Sequence, residues 1–187
     1  MIALLAAALL VAAPPTVEPD ALRARYARLR SLSADVVQLK EGRFWARPLE
    51  SRVRLRYTPE RVVWETLTPV RSTVTIEGGA LTVVGADGRP RDLAPVANDR
   101  RLAGLVRFIQ ALLAVDLPAI ERDFVLSYGP GQLVATPRPG GALDLFTGIV
   151  LRFDSDLDLV SLELDTTSER TRLSFHNVKR DLAPERP

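Results

Sequence analysis

The chain of 187 residues contains no cysteine, a single histidine (His176) and almost no excess of charge. Without cysteine there is no disulfide framework, no thiolate nucleophile, no cysteine-ligated metal and no lipid-modified N-terminal cysteine. A single histidine excludes any site that needs two imidazoles. The 25 basic and 23 acidic residues leave a net charge of +2. This field is too weak to indicate a nucleic-acid partner, and we expect none.

The sequence also lacks the usual motifs of catalysis. It contains no G-x-S-x-G, P-loop or G-x-G-x-x-G segment. The acidic run at 154–158 has the spacing of a calcium loop, but Leu159 and Asp165 stand where an EF-hand needs glycine and glutamate. A hairpin turn is the better interpretation of that run, and a surface position is the better one for His176. We therefore expect no catalytic residues, no metal, no cofactor and no enzymatic activity.

Residues 2–13 form an unbroken apolar run that Pro14 and Pro15 close. About a dozen residues are too few to span a bilayer, but they suit the apolar part of a secretory signal peptide. No Lys or Arg precedes the run, and a buried N-terminal helix is the alternative. We expect residues 1–13 to be a signal peptide, and residues 14–187 to form a single monomeric domain in an extracytoplasmic space.

Hydrophobic periodicity predicts a helix and then a meander of strands in the first half of the chain. Leu22, Tyr26 and Leu29 make one apolar stripe, which predicts a helix over 20–31. A period of two then predicts strands over 34–39, 51–57, 61–67, 71–77 and 80–84. Segment 51–57 alternates apolar residues with arginines, as in an antiparallel strand with one solvated face.

The second half repeats this order of helix and strands. A helix is predicted over 98–114 with Asn98 or Asp99 as its cap, followed by a short one over 118–122. Strands are predicted over 123–128, 131–136, 143–153 with a break at Gly148, 158–164 and 170–177, before a polar tail from Arg180.

Together these elements predict an α+β fold with one large antiparallel sheet of about ten strands. A sheet of that size curls, so we expect a half-barrel with the helices packed in its concave face as a lid. Periodicity leaves open whether this face encloses a cavity or a filled core. The same two interpretations apply to four large aromatic residues: Trp45, Tyr57, Trp64 and Phe146. Arg61 and Glu65 flank Trp64 and form either a functional ion pair or a surface pair worth less than about 1 kcal/mol.

Four segments follow one another in a recognisable order, at 32–38, 55–65, 76–81 and 153–175. The first carries the sequence LSADVVQ, and the second is a strand, a Thr-Pro turn and a strand that ends at Trp64 and Glu65. In order and spacing the chain resembles, over about residues 20–178, the periplasmic outer-membrane lipoprotein carrier family (LolA-like). Segments 67–71 and 116–124 are closer to a divergent branch that is linked to lipid or polyene pathways.

The resemblance implies a carrier that shields lipoprotein acyl chains in an apolar cavity between an inner-membrane transporter and an outer-membrane acceptor. Alternatives are a carrier of a free or polyene-type lipid, and a non-transporting periplasmic sensory or interaction domain. The family often has an arginine at the position of Thr58, where it helps to hold the lid closed, and Arg61 is the candidate to replace it. By the same resemblance the cavity-lining residues are Leu55, Tyr57, Val62, Trp64, Val74, Ile76, Leu105, Ile109 and Leu112.

Overall fold

The computed structural model describes residues 16–43, 46–92, 100–140, 143 and 145–184. The expected signal peptide at 1–13, Trp45 and the capping residues Asn98 and Asp99 lie outside these ranges. The described helices are α1 (Pro19–Tyr26), α2 (Arg100–Ala114) and α3 (Leu117–Ile120). The strands are β1 (Leu29–Gly42), β2 (Leu49–Thr58), β3 (Arg61–Thr68), β4 (Ser72–Glu77), β5 (Ala80–Val84), β6 (Pro90–Asp92), β7 (Phe124–Gly129), β8 (Gln132–Pro137), β9 (Phe146–Phe153), β10 (Leu159–Thr166) and β11 (Glu169–Leu182). Among the described helices, none combines the length and the apolar character that crossing a bilayer requires.

The eleven strands form one antiparallel sheet in the order β6-β5-β4-β3-β2-β1-β11-β10-β9-β8-β7. Consecutive strands pair as neighbours within each half of the chain, as the meander prediction requires. The two halves meet at the centre, where β1 pairs with β11 from Leu29 opposite Leu182 to Gly42 opposite Glu169. The outer strands β6 and β7 do not pair with each other, so the curled sheet stays open. The predicted α+β half-barrel is confirmed.

Alternation along the strands divides the sheet into an apolar inner face and a charged outer face. On β2, Val53 and Leu55 are buried, whereas Arg54 and Arg56 are exposed. Farther along the outer face, the carboxylate of Glu163 accepts a hydrogen bond from Arg172 Nε at 3.1 Å. Acidic and basic side chains of neighbouring strands thus form ion pairs on the outer face.

Part of the inner face is filled by side chains. Phe108 of α2 stacks on Phe124, with ring centroids 4.8 Å apart, and also contacts Phe146 at 5.5 Å. On α1, Tyr26 is buried, and its hydroxyl accepts a hydrogen bond from the backbone N–H of Leu159 at 3.0 Å. The aromatic residue Phe146 therefore belongs to a packed core under α2 and not to an open space.

Several boundaries differ from the predicted ones. The first helix ends at Tyr26, and Leu29, which was predicted to continue its apolar stripe, is instead the first residue of β1. Leu29 is buried opposite Leu182 of β11, so its contact with the core comes through sheet pairing. The same pairing extends β11 into the predicted polar tail.

The predicted break at Gly148 does not end the strand. Strand β9 continues from Phe146 to Phe153, and Gly148 pairs with Asp165 of β10, but the pairing shifts in register between Gly148 and Phe146. The short edge strand β6 was not predicted, because its three residues, Pro90–Asp92, carry no apolar alternation. The predicted hairpin turn at 154–158 is confirmed, since Asp154 Oδ1 accepts the backbone N–H groups of Asp156 and Asp158, both at 2.9 Å.

Candidate functional site

A cavity of about 270 Å³ lies between α2 and the inner face of the sheet. The helix contributes one wall, and strands from both halves of the chain contribute the other. The ten apolar residues of the lining are Val62, Trp64, Val74, Ile76, Ile109, Leu112, Leu113, Leu162, Leu164 and Leu173. Three polar residues, Gln38, Lys40 and Thr171, complete it.

The apolar surface on β3 and β4 follows from strand register. Val62 pairs with Ile76, and Trp64 pairs with Val74. Because alternate residues of paired antiparallel strands share a face, these four side chains form one continuous apolar patch. Helix α2 covers this patch with Ile109, Leu112 and Leu113. The remaining apolar wall comes from β10 and β11, whose paired Leu162 and Leu173 lie on the same inner face.

The polar lining residues gather on β1 and β11, where Lys40 pairs with Thr171. Lys40 Nζ lies 3.3 Å from Glu169 Oε1, and Thr171 Oγ1 donates to the same oxygen at 3.2 Å. The side chains of Lys40 and Glu169 keep 34% and 25% of their surface exposed. The cavity is thus apolar in its interior and carries one charged pair at a rim that water reaches.

Six of the nine residues that the sequence singled out line this cavity: Val62, Trp64, Val74, Ile76, Ile109 and Leu112. The other three lie elsewhere. Leu55 is fully buried in the core, and Leu105 is partly buried against it. Tyr57 lines a second cavity. That these residues hold a ligand stays a prediction.

The second cavity has about 570 Å³ and a mixed lining, in which Tyr57, Arg107, Asp116 and Arg122 are polar and residues such as Phe108 are apolar. Burial raises the pKa of the Tyr57 phenol, and the nearby carboxylates of Asp116 and Glu60 raise it further. Asp116 is held in place as the cap of α3, because its Oδ1 accepts the backbone N–H of Ala119 at 3.2 Å. Four of its thirteen lining residues are charged, compared with one of the thirteen that line the first cavity.

Arg61 lies on the outer face, since it alternates with the buried Val62. Its Nε is 3.6 Å from Glu77 Oε2, and its backbone N–H donates to Thr58 Oγ1 at 3.2 Å. Glu65 pairs with Arg54 at 3.6 Å, so the predicted Arg61–Glu65 pair is not formed. Both residues belong to cross-strand surface pairs. A role of Arg61 in holding α2 closed stays a prediction.

Sequence reasoning missed Leu113 of α2 and the contributions of β1, β10 and β11 to the cavity, which are Gln38, Lys40, Leu162, Leu164, Thr171 and Leu173. Alternation identifies which residues of β10 and β11 share a face. It does not show that α2 lies over these strands and over β3 and β4 at once. The two sets of strands lie beside each other because β1 pairs with β11 at the centre of the sheet, and this pairing joins segments more than a hundred residues apart. In the described ranges, no cluster of three or more histidine or acidic side chains is placed to hold a metal ion.

Comparisons with known proteins give structural similarity only. No family model and no curated protein matches the chain. A DUF1329 family protein from Desulfovibrio piger is similar with a TM-score of 0.47 and 11% identity, over 89% of this chain and 92% of that one. The lipoprotein LppX of Mycobacterium tuberculosis matches with a TM-score of 0.47 and 12% identity, over 90% and 100% of the two chains.

A LolA superfamily protein from Nitrosomonas europaea matches with a TM-score of 0.41 and 11% identity, over 89% of this chain and 91% of that one. At these TM-scores and identities the matches assign neither a family nor a function to the chain. The cavity and its lining are therefore the basis for a functional conclusion.

Proposed function

We propose that this protein is a carrier that binds acyl chains in the cavity between α2 and the sheet, without an enzymatic step. The observation that carries the proposal is the lining, in which ten of thirteen residues are apolar. Each methylene group that leaves water for an apolar environment gains about 0.8 kcal/mol. A hydrocarbon chain in such a cavity is therefore shielded by burial alone, and no reactive group is needed.

The size of the cavity limits how much of a hydrocarbon chain it holds. A volume of about 270 Å³ is slightly below the range of small-molecule sites, which have about 300–1,000 Å³. It corresponds to about nine groups of the size of a water molecule, each of about 30 Å³. A chain of about ten carbon atoms fits that space, and a longer chain must either extend out of the cavity or move α2 away from the sheet; we propose the second.

The cargo in this proposal is the acyl moiety of a lipoprotein, taken from an inner-membrane transporter to an outer-membrane acceptor across the periplasm. This part rests on the resemblance of the sequence to the lipoprotein carriers. One observation favours the second candidate, a carrier of free lipids: the charged pair of Lys40 and Glu169 at the cavity rim suits a cargo with a polar headgroup.

Mass spectrometry of lipids that copurify with the protein from a periplasmic extract tests the proposal. Lipoprotein acyl chains would support the first cargo, and free lipids the second. Displacement of a fluorescent acyl probe by unlabelled fatty acids measures the same binding in purified protein. If no lipid copurifies and the probe does not bind, the carrier function is wrong, and a sensory or interaction domain becomes the better hypothesis.

A further inference from the structure

We propose that Lys40 binds the anionic headgroup of a single-chain amphiphile whose acyl chain lies in the apolar cavity. The inference rests on the proposed function and specifies the class of ligand: an anionic oxygen headgroup, either carboxylate or phosphate, on one hydrocarbon chain. Among the described residues that line the cavity, Lys40 alone carries a charge. An anionic headgroup is therefore expected to bind next to Lys40.

The location of Lys40 differs from that of the neighbouring cross-strand cations. Arg54 and Arg61 belong to β2 and β3, alternate with buried residues, and form their ion pairs on the outer face. Lys40 instead shares the inner face with Gln38, two positions away, and both residues line the cavity. A cation thus lies at the wall of a space whose other lining residues are the ten apolar ones and the uncharged Gln38 and Thr171.

Stability does not explain a lysine at this place. A partly exposed ion pair contributes about 0–1 kcal/mol, because water screens it and two side chains lose rotamer freedom. Lysine carries three N–H donors on a compact charge, and Glu169 Oε1 accepts from Nζ at 3.3 Å. Nζ therefore has the capacity to donate to a second acceptor such as a headgroup oxygen.

Glu169 is positioned to release Lys40 without losing all its own partners. Thr171 Oγ1 donates to Glu169 Oε1 at 3.2 Å, independently of the lysine. A bound anion would replace the carboxylate of Glu169 next to Nζ, while Thr171 keeps a hydrogen bond to that carboxylate. Glu169 consequently acts as a competitor of the ligand headgroup, and its charge weakens anion binding.

The chain offers a matched control, because its two lysines are Lys40 and Lys179. Lys179 is exposed and borders a surface depression with Arg54 and Arg56, so it belongs to the outer face. Lys40→Gln and Lys179→Gln therefore remove the same charge from opposite faces of the sheet. A general effect of net charge would appear in both variants, whereas headgroup binding would appear in one.

The experiment measures displacement of a fluorescent acyl probe by decanoate and by methyl decanoate at pH 7.5, where the acid is ionised. We expect the native chain and Lys179→Gln to bind decanoate about tenfold more tightly than its methyl ester. Lys40→Gln should bind the two ligands equally. Decyl phosphate, assayed in parallel, shows which of the two headgroups Lys40 prefers.

Glu169→Gln separates headgroup binding from a structural ion pair. Loss of the competing carboxylate should tighten decanoate binding several-fold and leave the methyl ester unchanged. If Lys40→Gln and Glu169→Gln instead weaken both ligands alike, the pair is structural and the inference is wrong. If the native chain binds acid and ester equally, the inference fails while the carrier function stands. If neither ligand binds, the carrier function fails and the inference with it.

Discussion

Trp64 shows how one position in a pleated strand determines which environment a side chain meets. It lines the cavity opposite Val74, while its neighbours Val63 and Glu65 belong to the other face of β3. The sequence predicts this division correctly, because alternation needs no knowledge of the rest of the fold. Tyr57 lies four residues after Val53 on the same face of β2. The cavity that its side chain lines was not predictable. Which cavity it reaches depends on Asp116 and Arg107 from distant segments.

Trp64→Glu is expected to weaken acyl-probe binding at least about tenfold and to leave the fold intact. A carboxylate in an apolar cavity must remain hydrated or protonated, and either state competes with a hydrocarbon chain. Probe titration measures the affinity, and circular dichroism checks the fold. Thr75→Glu is the control, since Thr75 pairs with Val63 and faces outward. Equal binding by a folded Trp64→Glu variant would show that the chain does not occupy this cavity.

The Tyr57→Phe variant is expected to lose less free energy of unfolding at alkaline pH than the native chain does. Burial, Asp116 and Glu60 raise the pKa of Tyr57 above the value of about 10 that it has in the unfolded chain. The folded state therefore holds the phenolic proton more tightly. The stability that this proton contributes is present below pH 10 and is lost as the pH rises through the folded-state pKa.

Urea unfolding at pH 8 and at pH 11 measures this difference. The native chain should lose more free energy of unfolding between the two pH values than Tyr57→Phe does. Burial also raises the pKa of Tyr26, so a part of the alkaline loss remains in the variant. Identical losses in both proteins would contradict the assignment to Tyr57.

For helix α2, hydrophobic periodicity predicts the element and its apolar face, but not what each residue of that face contacts. The apolar stripe predicts the helix and places Leu105, Ile109 and Leu112 on one side of it. The structure puts Ile109 and Leu112 over the cavity and Leu105 against the core. Helical spacing defines a face, but the strands beneath each turn decide whether that turn meets a cavity. Leu29 is a second example. Its spacing fitted a helical stripe, but its pairing with β11 makes it a strand residue.

Long acyl chains are expected to displace α2, whereas short ones are not. The cavity of about 270 Å³ holds about nine groups of water size. Hydrogen exchange followed by mass spectrometry measures the effect. Hexadecanoate should speed amide exchange in the α2 segment that carries Ile109 and Leu112, and decanoate should leave it unchanged or slower. Equal protection by both ligands would show that the longer chain is accommodated without movement of the helix.

The whole molecule consists of two meanders that are joined by one central strand pair. Each meander was predictable, because short turns connect neighbouring strands and alternation marks their faces. The pairing of Leu29 with Leu182 has no local signal, since it joins the first strand to the last. The cavity likewise has no local signal in the sequence, because its walls come from both meanders. Val62 and Ile76 come from one meander, and Leu162 and Leu173 come from the other.

Hydrogen exchange across the sheet should follow the strand order. The amides of β1 and β11 have a paired strand on either side, whereas β6 and β7 are the edges. Central strands open only with global unfolding, and edge strands open locally. We expect the amides of Val36 and Phe175 to be at least about a hundredfold more protected than those of β6. Comparable exchange rates at the centre and the edges would contradict a single cooperative sheet.

The central position of β1 also has a consequence for biosynthesis. A ribosome completes β1 early, but β11, its partner on one side, is among the last described segments to emerge. Until then β1 can pair with β2 and still presents a long row of unpaired N–H and C=O groups along its other side. Such a row is a template for pairing with other chains. The growing polypeptide thus exposes an unpaired strand edge for most of its synthesis. A chaperone that binds extended segments would protect this edge during that interval.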